Sequence, residues 1–502
     1  MKILQIGNEN LGLQAQLSAD TEWKYCELTK ITELIAFYAD NEDEKFDFAA
    51  VFFTSYLSEE QLAPLKKYLS AYRVFVVEGL KIPELEQKYC PWHFKLADLA
   101  QTVKDVEKNF FKRQYGENIA VEQISLNQSF TGEKTYLGRH KLKLVGNFGK
   151  EFTPLVFWRR NLDINAENDL EFWPVYQKSA NVAVKLVIKV ITGAGELKQY
   201  EFDEHALQRP VIIKSEQKGY VSLSLWAKGK GDLELGNINW RLSRNQYGTL
   251  ILGGQRYADA ERDELFYYFE PGDLTPPLNV YFAGYQQRTG FEGYFMMKRM
   301  GKPFILFADP RLEGGSFYLG SQQYEQQIQF ILKTTLEKLG FKPEDLILSG
   351  LSMGTTGALY YGSKVGPTAV IVGKPLVNLG TIAQNNMLHR ANEFDTSLDL
   401  LLKLRKEVSS EQAKALNAQM LATLKDSKLA QSQLALAYMR EDDYDDQAFH
   451  DLVEVLPSDE GKIIGHGYTG RHNDESSKIV RWYLQQYEAS LQQFEDDEDE
   501  RI

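Results

Sequence analysis

Gly350-Leu351-Ser352-Met353-Gly354 sets a hydroxyl between two glycines at the end of a short apolar run, Leu346-Ile347-Leu348-Ser349. A helix-compatible stretch follows, with Thr355 and Thr356 as capping candidates. Strand, sharp turn and helix make a nucleophile elbow, in which the serine takes a strained backbone conformation. Its neighbours two positions away must then be small, because a Cβ there would strike the adjoining strand or helix. Serine is a poor nucleophile until a base takes its proton, so a histidine and a carboxylate are required later in the chain, in that chemical role and on neighbouring loops. Of seven histidines, His466 and His472 stand in a glycine-rich stretch just before the last helical segment, and His472 lies nearer to it. The acid should follow a late strand. Leu434–Met439 is such a run and leads into Arg440-Glu441-Asp442-Asp443-Tyr444-Asp445-Asp446, where Asp442 is the first choice and Glu441 the second.

Stabilising the oxyanion of acyl chemistry needs two amides. One belongs to the residue after the nucleophile, Met353; the other should come from the loop after an earlier strand, where Gly284 or Tyr285 stands behind Leu278–Ala283. Asp309 and Arg311 also emerge at a strand end and should line the cleft, with a salt bridge bracing its own loop the first choice of role for Arg311 and orientation of a polar substrate the second. No metal-ligand spacing and no nucleotide-type motif is visible, so neither metal nor bound coenzyme is expected. Gly7-Asn8-Glu9-Asn10-Leu11-Gly12 follows a strand but is not the dinucleotide fingerprint.

These groups need a scaffold, and 502 residues supply more than one core. Hydrophobic content of 43% and aromatic content of 12% are those of a globular chain. The net charge of −13 excludes the clustered basic face that nucleic acid demands. Two cysteines, Cys26 and Cys90, build no disulfide framework, and no run of 18 apolar residues occurs. A reducing, cytoplasmic setting is therefore expected. Residues 1–118 alternate strands with helices, including a helix over Glu59–Tyr72, and predict a Rossmann-like α/β domain. Residues 119–246 carry short period-two runs, Gly219–Trp226 and Gly231–Arg241 among them, and predict a central antiparallel β-sandwich. Trp158, Trp173, Trp226 and Trp240 would there be core or, less commonly, a platform for sugar rings. Residues 247–494 predict an α/β-hydrolase-like catalytic domain with a helical cap at about 385–427, and residues 495–502 a solvated acidic tail.

Taken together, Asp309-Pro310-Arg311-Leu312-Glu313-Gly314-Gly315, Leu348-Ser349-Gly350-Leu351-Ser352-Met353-Gly354-Thr355, Asp442-Asp443-Tyr444-Asp445 and Gly470-Arg471-His472-Asn473-Asp474 resemble the second of the accessory secretory proteins of the Gram-positive accessory Sec system. The resemblance spans nearly the whole length. It implies a cytosolic, membrane-associated component in the export of serine-rich repeat glycoproteins, peripheral at the inner face of the cell membrane. Its implied partners are the first and third accessory secretory proteins and the accessory SecA-type motor. It also implies O-acetyl transfer to N-acetylglucosamine of the adhesin glycan by a Ser, acid, His triad. Ser352 and His472 match that triad, while Glu441 and Asp442 both fit the acid. The same residues would serve a carboxylesterase, and a third possibility is a non-catalytic export scaffold.

Overall fold

Three sheets carry the chain in a computed structural model that describes all residues except 42, 43, 194, 313, 314, 390–393, 395, 426, 457–461 and 500–502. They fall into two units, the first comprising Met1–Arg113, Ser243–Gly254 and Phe269–Leu274, the second the remainder.

In the first unit, β1 (Lys2–Gly7), β2 (Glu22–Glu27), β3 (Ala50–Phe53), β4 (Val74–Val77) and β5 (Trp92–Phe94) form one parallel sheet in the order β2-β1-β3-β4-β5. This is a doubly wound order with its switch between β1 and β3. Both faces are covered: Leu4, Ile6, Val51, Phe53, Val74 and Val76 join one cluster, and Ile3, Ala50, Phe52 and Phe75 the other. Burial on two sides is why these strands read as continuous apolar runs. At the switch point the loops bond to each other, Asn8 N–H donating to Ser55 Oγ at 3.0 Å. The helix expected over Glu59–Tyr72 is much shorter: an α-turn covers Glu59–Leu62 and a 3-10 turn Ala63–Leu65. Pro64 lacks an N–H and crowds the preceding turn, which ends the α-helix.

The second unit begins with an antiparallel sheet of ten strands. Its spine is a single 25-residue strand, Gly219–Ser243, that pairs with Val182–Thr192, Lys141–Trp158, Leu162–Ile164 and Gly116–Ile119. The two separate runs expected there are therefore one strand. Between them the register shifts at Leu225/Trp226, Ala227/Gly229 and Gly229/Lys230, and Gly229 sits at φ 99, where a Cβ would strike the Asn181 carbonyl. A bulge stands where a break seemed indicated. Trp158, Trp173 and Trp240 are core, at 4%, 3% and 8% exposure. Trp173 lies between two guanidinium groups, Arg256 at 3.9 Å and Arg262 at 3.6 Å. Trp226 is half-buried under the Lys185 ammonium at 4.9 Å.

The third sheet follows, with strands β6 (Gln255–Ala258), β7 (Glu264–Glu270), β8 (Leu278–Phe282), β9 (Phe304–Ala308), β10 (Leu346–Leu351), β11 (Ala369–Gly373), β12 (Gln433–Met439) and β13 (Ile463–Tyr468). Their order is β6-β7-β9-β8-β10-β11-β12-β13, and β9 through β13 run parallel with β8. Helices Leu379–His389, Asp399–Arg405 and Ser410–Leu424 occupy the stretch expected to cap the cleft; 390–393, 395 and 426 lie outside the described residues. The last helix runs Ser476–Asp499, so the acidic tail is helical to Asp499 rather than irregular, and 500–502 lie outside the described residues. His466 belongs to β13 and not to a loop. Parallel strands aim their carboxyl ends at one edge, and there the candidate side chains meet.

Candidate active site

Ser352 follows the buried strand β10 at φ 53, ψ −122 and precedes the helix Met353–Val365. A non-glycine residue held there stores strain of order 1–3 kcal/mol, which its surroundings must outweigh. Gly350 and Gly354 make the turn possible: a Cβ on Gly350 would collide with the Gly354 carbonyl, and one on Gly354 with the Phe282 carbonyl. Ser352 N–H donates to Gly373 O at 2.9 Å, pinning the turn to β11. Thr355 and Thr356 are not caps, because the helix already begins at Met353. Thr355 Oγ1 donates to Ser352 O at 2.6 Å and accepts from Leu376 N at 2.9 Å, and Thr356 Oγ1 donates to Leu376 O at 2.6 Å. The two hydroxyls tie the loop after β11 to the elbow.

His472 stands between β13 and the last helix, and Asp442 just beyond β12. Ser352 Oγ and His472 Nε2 are 2.8 Å apart, and His472 Nδ1 and Asp442 Oδ2 are 2.8 Å apart. With a carboxylate on Nδ1 that nitrogen carries the proton, which leaves Nε2 to accept from the serine hydroxyl. Asp442 Oδ1 accepts from Tyr444 N at 2.9 Å and Asp445 N at 3.2 Å, so the carboxylate has one orientation. The Tyr444 ring packs on the imidazole at 4.5 Å. Between the two acids that fit the slot, the imidazole bonds to Asp442. Glu441 instead accepts from Gly470 N and braces the loop that carries His472. His466 is exposed on its edge strand.

Ser352, His472, Met353 and Tyr444 open onto a cavity of about 570 Å³. Met353, first residue of the helix, has an N–H with no intrahelical acceptor. Gly284 lies on the cavity wall as expected, but its N–H donates to Glu292 Oε2 at 2.8 Å, so the second oxyanion amide foreseen there is already engaged. Its neighbour Tyr285 lines the cavity with its ring 5.9 Å from that of Phe394. Neither Asp309 nor Arg311 lines this cavity, against expectation, while the loop-bracing salt bridge foreseen for Arg311 is present. Arg311 Nε and Nη2 each meet an Asp309 oxygen at 2.7 Å, and the guanidinium stacks on Tyr324 at 3.6 Å. Burial alone would weaken this cation, yet Asp309 and Asp263 hold its pKa well above the ordinary value. Asp309 Oδ2 also accepts from Ser316 N at 2.9 Å and Tyr318 N at 3.1 Å. The pair braces its own loop, whose Glu313 and Gly314 lie outside the described residues.

Two cavity residues escaped the sequence reading. Glu292 has no motif around it. Lys374 has a faint signal, a charged residue directly after the buried strand β11; its Nζ donates to Ser476 Oγ at 2.9 Å, and burial pushes its pKa down against the pull of Asp442 and Asp474. Among the described residues no group of three His, Cys, Asp or Glu side chains is placed to hold a metal, and no helix is long and apolar enough to cross a membrane. The arrangement holds the parts of acyl chemistry: a strained hydroxyl, an imidazole in bonding reach, a fixed carboxylate and a helix-terminal amide.

Residues 1–496 match the family model described as the accessory Sec system GspB-transporter. An accessory Sec system protein of Staphylococcus aureus is 38% identical over 98% of this chain and 96% of its own length, and one of Streptococcus gordonii 34% identical over 98% of each. Among solved structures, the Glycosylation Associate Protein (Gap123) complex from Streptococcus agalactiae contains a chain that superposes with a TM-score of 0.91 at 34% identity over 98% of both. The chain belongs to the accessory Sec system GspB-transporter family, the second of the accessory secretory proteins.

Proposed function

We propose that this protein is an α/β-hydrolase-like O-acetyltransferase of the accessory Sec system, acting on N-acetylglucosamine of the serine-rich repeat glycoprotein that the system exports. The observation that carries the reading is the unbroken chain Ser352–His472–Asp442 at the mouth of a cavity. Ser352 Oγ attacks the acyl carbonyl while His472 Nε2 takes its proton, and the same proton then passes to the leaving group. Asp442 holds the imidazole tautomer and stabilises the imidazolium. The Met353 amide faces the developing oxyanion. A sugar hydroxyl, deprotonated by His472, next attacks the acyl-enzyme, and the serine regains its proton from the imidazolium. The first and third accessory secretory proteins and the accessory SecA-type motor are the proposed partners at the membrane's inner face. Family membership supports the export setting, and the structural relative's own name ties that protein to glycosylation.

Glycan mass spectrometry of the exported glycoprotein from cells carrying wild type or Ser352→Ala, scored beside secretion, tests this. Loss of O-acetyl groups with the folded variant present is the expected result. A rise would identify a deacetylase of the same fold, and an unchanged content a scaffold without chemistry.

A further inference from the structure

One cation in the wall of the Ser352 cavity takes no part in the triad's proton transfer. Among the described residues that wall carries two charged side chains besides His472, Glu292 and Lys374. Glu292 is occupied, its carboxylate accepting the Gly284 N–H. Lys374 is 7% exposed, its ammonium meets the neutral hydroxyl of Ser476 at 2.9 Å, and no carboxylate among the described residues stands at ion-pair distance from it. The two carboxylates near enough to pull on it are engaged elsewhere: Asp442 on His472 and two amides, Asp474 on the Arg471 N–H. An ammonium has three donors, so two are left for what enters the cavity. Burying a charge without a counter-ion is costly, and an arriving anion removes that cost.

The backbone points the same way. Lys374 takes φ 60 directly after β11, a left-handed conformation uncommon outside glycine, and is held there by donating its N–H to Ala437 O at 2.7 Å. Strain of that kind gathers at functional positions. The preceding residue, Gly373, accepts the Ser352 N–H, so the lysine leaves the sheet edge beside the nucleophile. Ser476, which orients the ammonium, opens the last helix, and those 24 residues turn the positive end of their dipole to the same wall. We propose that Lys374 is the specificity-determining residue for an acyl donor that carries a negatively charged group, a phosphate being the form that suits an ammonium beside a helix N-terminus. The assignment to the donor rests on the function argued above, because its acceptor, N-acetylglucosamine, is uncharged and gives the cation nothing to pair with; the anion binding itself needs no turnover.

Binding is therefore measured on the full chain carrying Ser352→Ala, by calorimetric titration with acetyl phosphate, coenzyme A and inorganic phosphate. Tighter binding of the first marks a compact acyl phosphate as the donor, and of the second a nucleotide-borne thioester. Adding Lys374→Met should raise the Kd of the tightest probe about tenfold, the loss of a charge-assisted hydrogen bond. Lys374→Gln, which keeps a donor for Ser476, should do the same and decides the matter if Lys374→Met lowers the melting temperature. Lys374→Arg should restore most of the affinity. With Ser352 in place, Lys374→Gln should raise KM for the phosphate-bearing acetyl donor about tenfold relative to KM for the neutral ester p-nitrophenyl acetate. An unchanged Kd in the Met and Gln variants overturns the assignment, as does a chain that binds none of the three probes. An intact binding contrast beside Ser352-independent acetylation would instead sink the transferase and leave the anion site standing.

Discussion

Two aspartates sit past the carboxyl ends of two strands in one sheet, Asp309 after β9 and Asp442 after β12. Both are buried, and both accept backbone amides from their own loop, Asp309 three and Asp442 two. They differ in the ion they face. Asp309 meets Arg311, a planar cation that stays charged at any working pH and fills both carboxylate oxygens. Asp442 meets His472, whose other nitrogen is left for Ser352. The same acid in the same place is thus a brace with a permanent partner and part of a relay with a titratable one. What marks a site is a chain of polar groups that ends in open volume; the Arg311 chain ends in Tyr324 and Lys403–Asp263, inside the protein.

Asp442→Asn breaks the relay side of this comparison. The amide presents the wrong hydrogen-bonding group to Nδ1, and activity should fall on the order of 10⁴, the loss typical of that change in a serine triad. Glu441→Gln keeps an acceptor near Gly470 N and should cost less than tenfold. Acetyl transfer by the purified variants reads both. The reverse ranking would move the acid one residue back, against the geometry.

On the brace side, Arg311→Met leaves Asp309 charged and buried without its counter-ion, a change that costs about 3–5 kcal/mol in stability. The melting temperature should drop while the Ser352 chemistry of the folded fraction persists, because neither residue lines the cavity. Lost turnover in a protein that melts like wild type would return Arg311 to substrate binding.

Why the elbow was legible and the placing of Asp309 and Arg311 on the cleft was not borne out follows from the same contrast. Gly350 and Gly354 are demanded by backbone collisions, and backbone geometry leaves local traces in sequence. His472 was readable from chain order, since a loop before the last helix must reach the sheet edge that carries Ser352. The choice between Glu441 and Asp442 was not, because adjacent residues in a loop diverge by side-chain direction, which no spacing encodes. For Arg311 the salt bridge that braces its own loop was foreseen and the place on the cleft was not met, for a related reason: a charged side chain at a strand end can turn into the cleft or back onto its own loop, and Asp309, Asp263 and Tyr324 decide which. Glu292, on the Gly284 amide, depends on a loop closing over eight residues. Gly229 shows the converse error, a glycine that reads as a break but bends a continuous strand.

Asp445, three residues beyond Asp442, extends the comparison to an acid with no ion-pair partner among the described residues. It accepts from Val377 N and Asn378 N at 2.7 Å each and from Asn378 Nδ2 at 2.9 Å, which ties its loop to the one after β11. Burial, with a smaller push from Asp442, raises its pKa from 3.8 to about 6 despite those donors. A folded pKa above the unfolded one means that the folded state holds a proton which the unfolded chain releases. That contribution is complete below about pH 4 and is lost as pH rises through about 6. At 1.36 kcal/mol per pKa unit it is on the order of 3 kcal/mol. Asp445→Asn keeps a carbonyl for the two amides and removes the titration, so wild type should lose stability relative to the variant between pH 4 and 7 and track it at higher pH. Parallel melting curves at pH 4.5, 6 and 7.5 read the difference, in which all other titrating groups cancel. Equal pH dependence in the two proteins would mean that Asp445 is ionised throughout, its three donors offsetting the cost of burial.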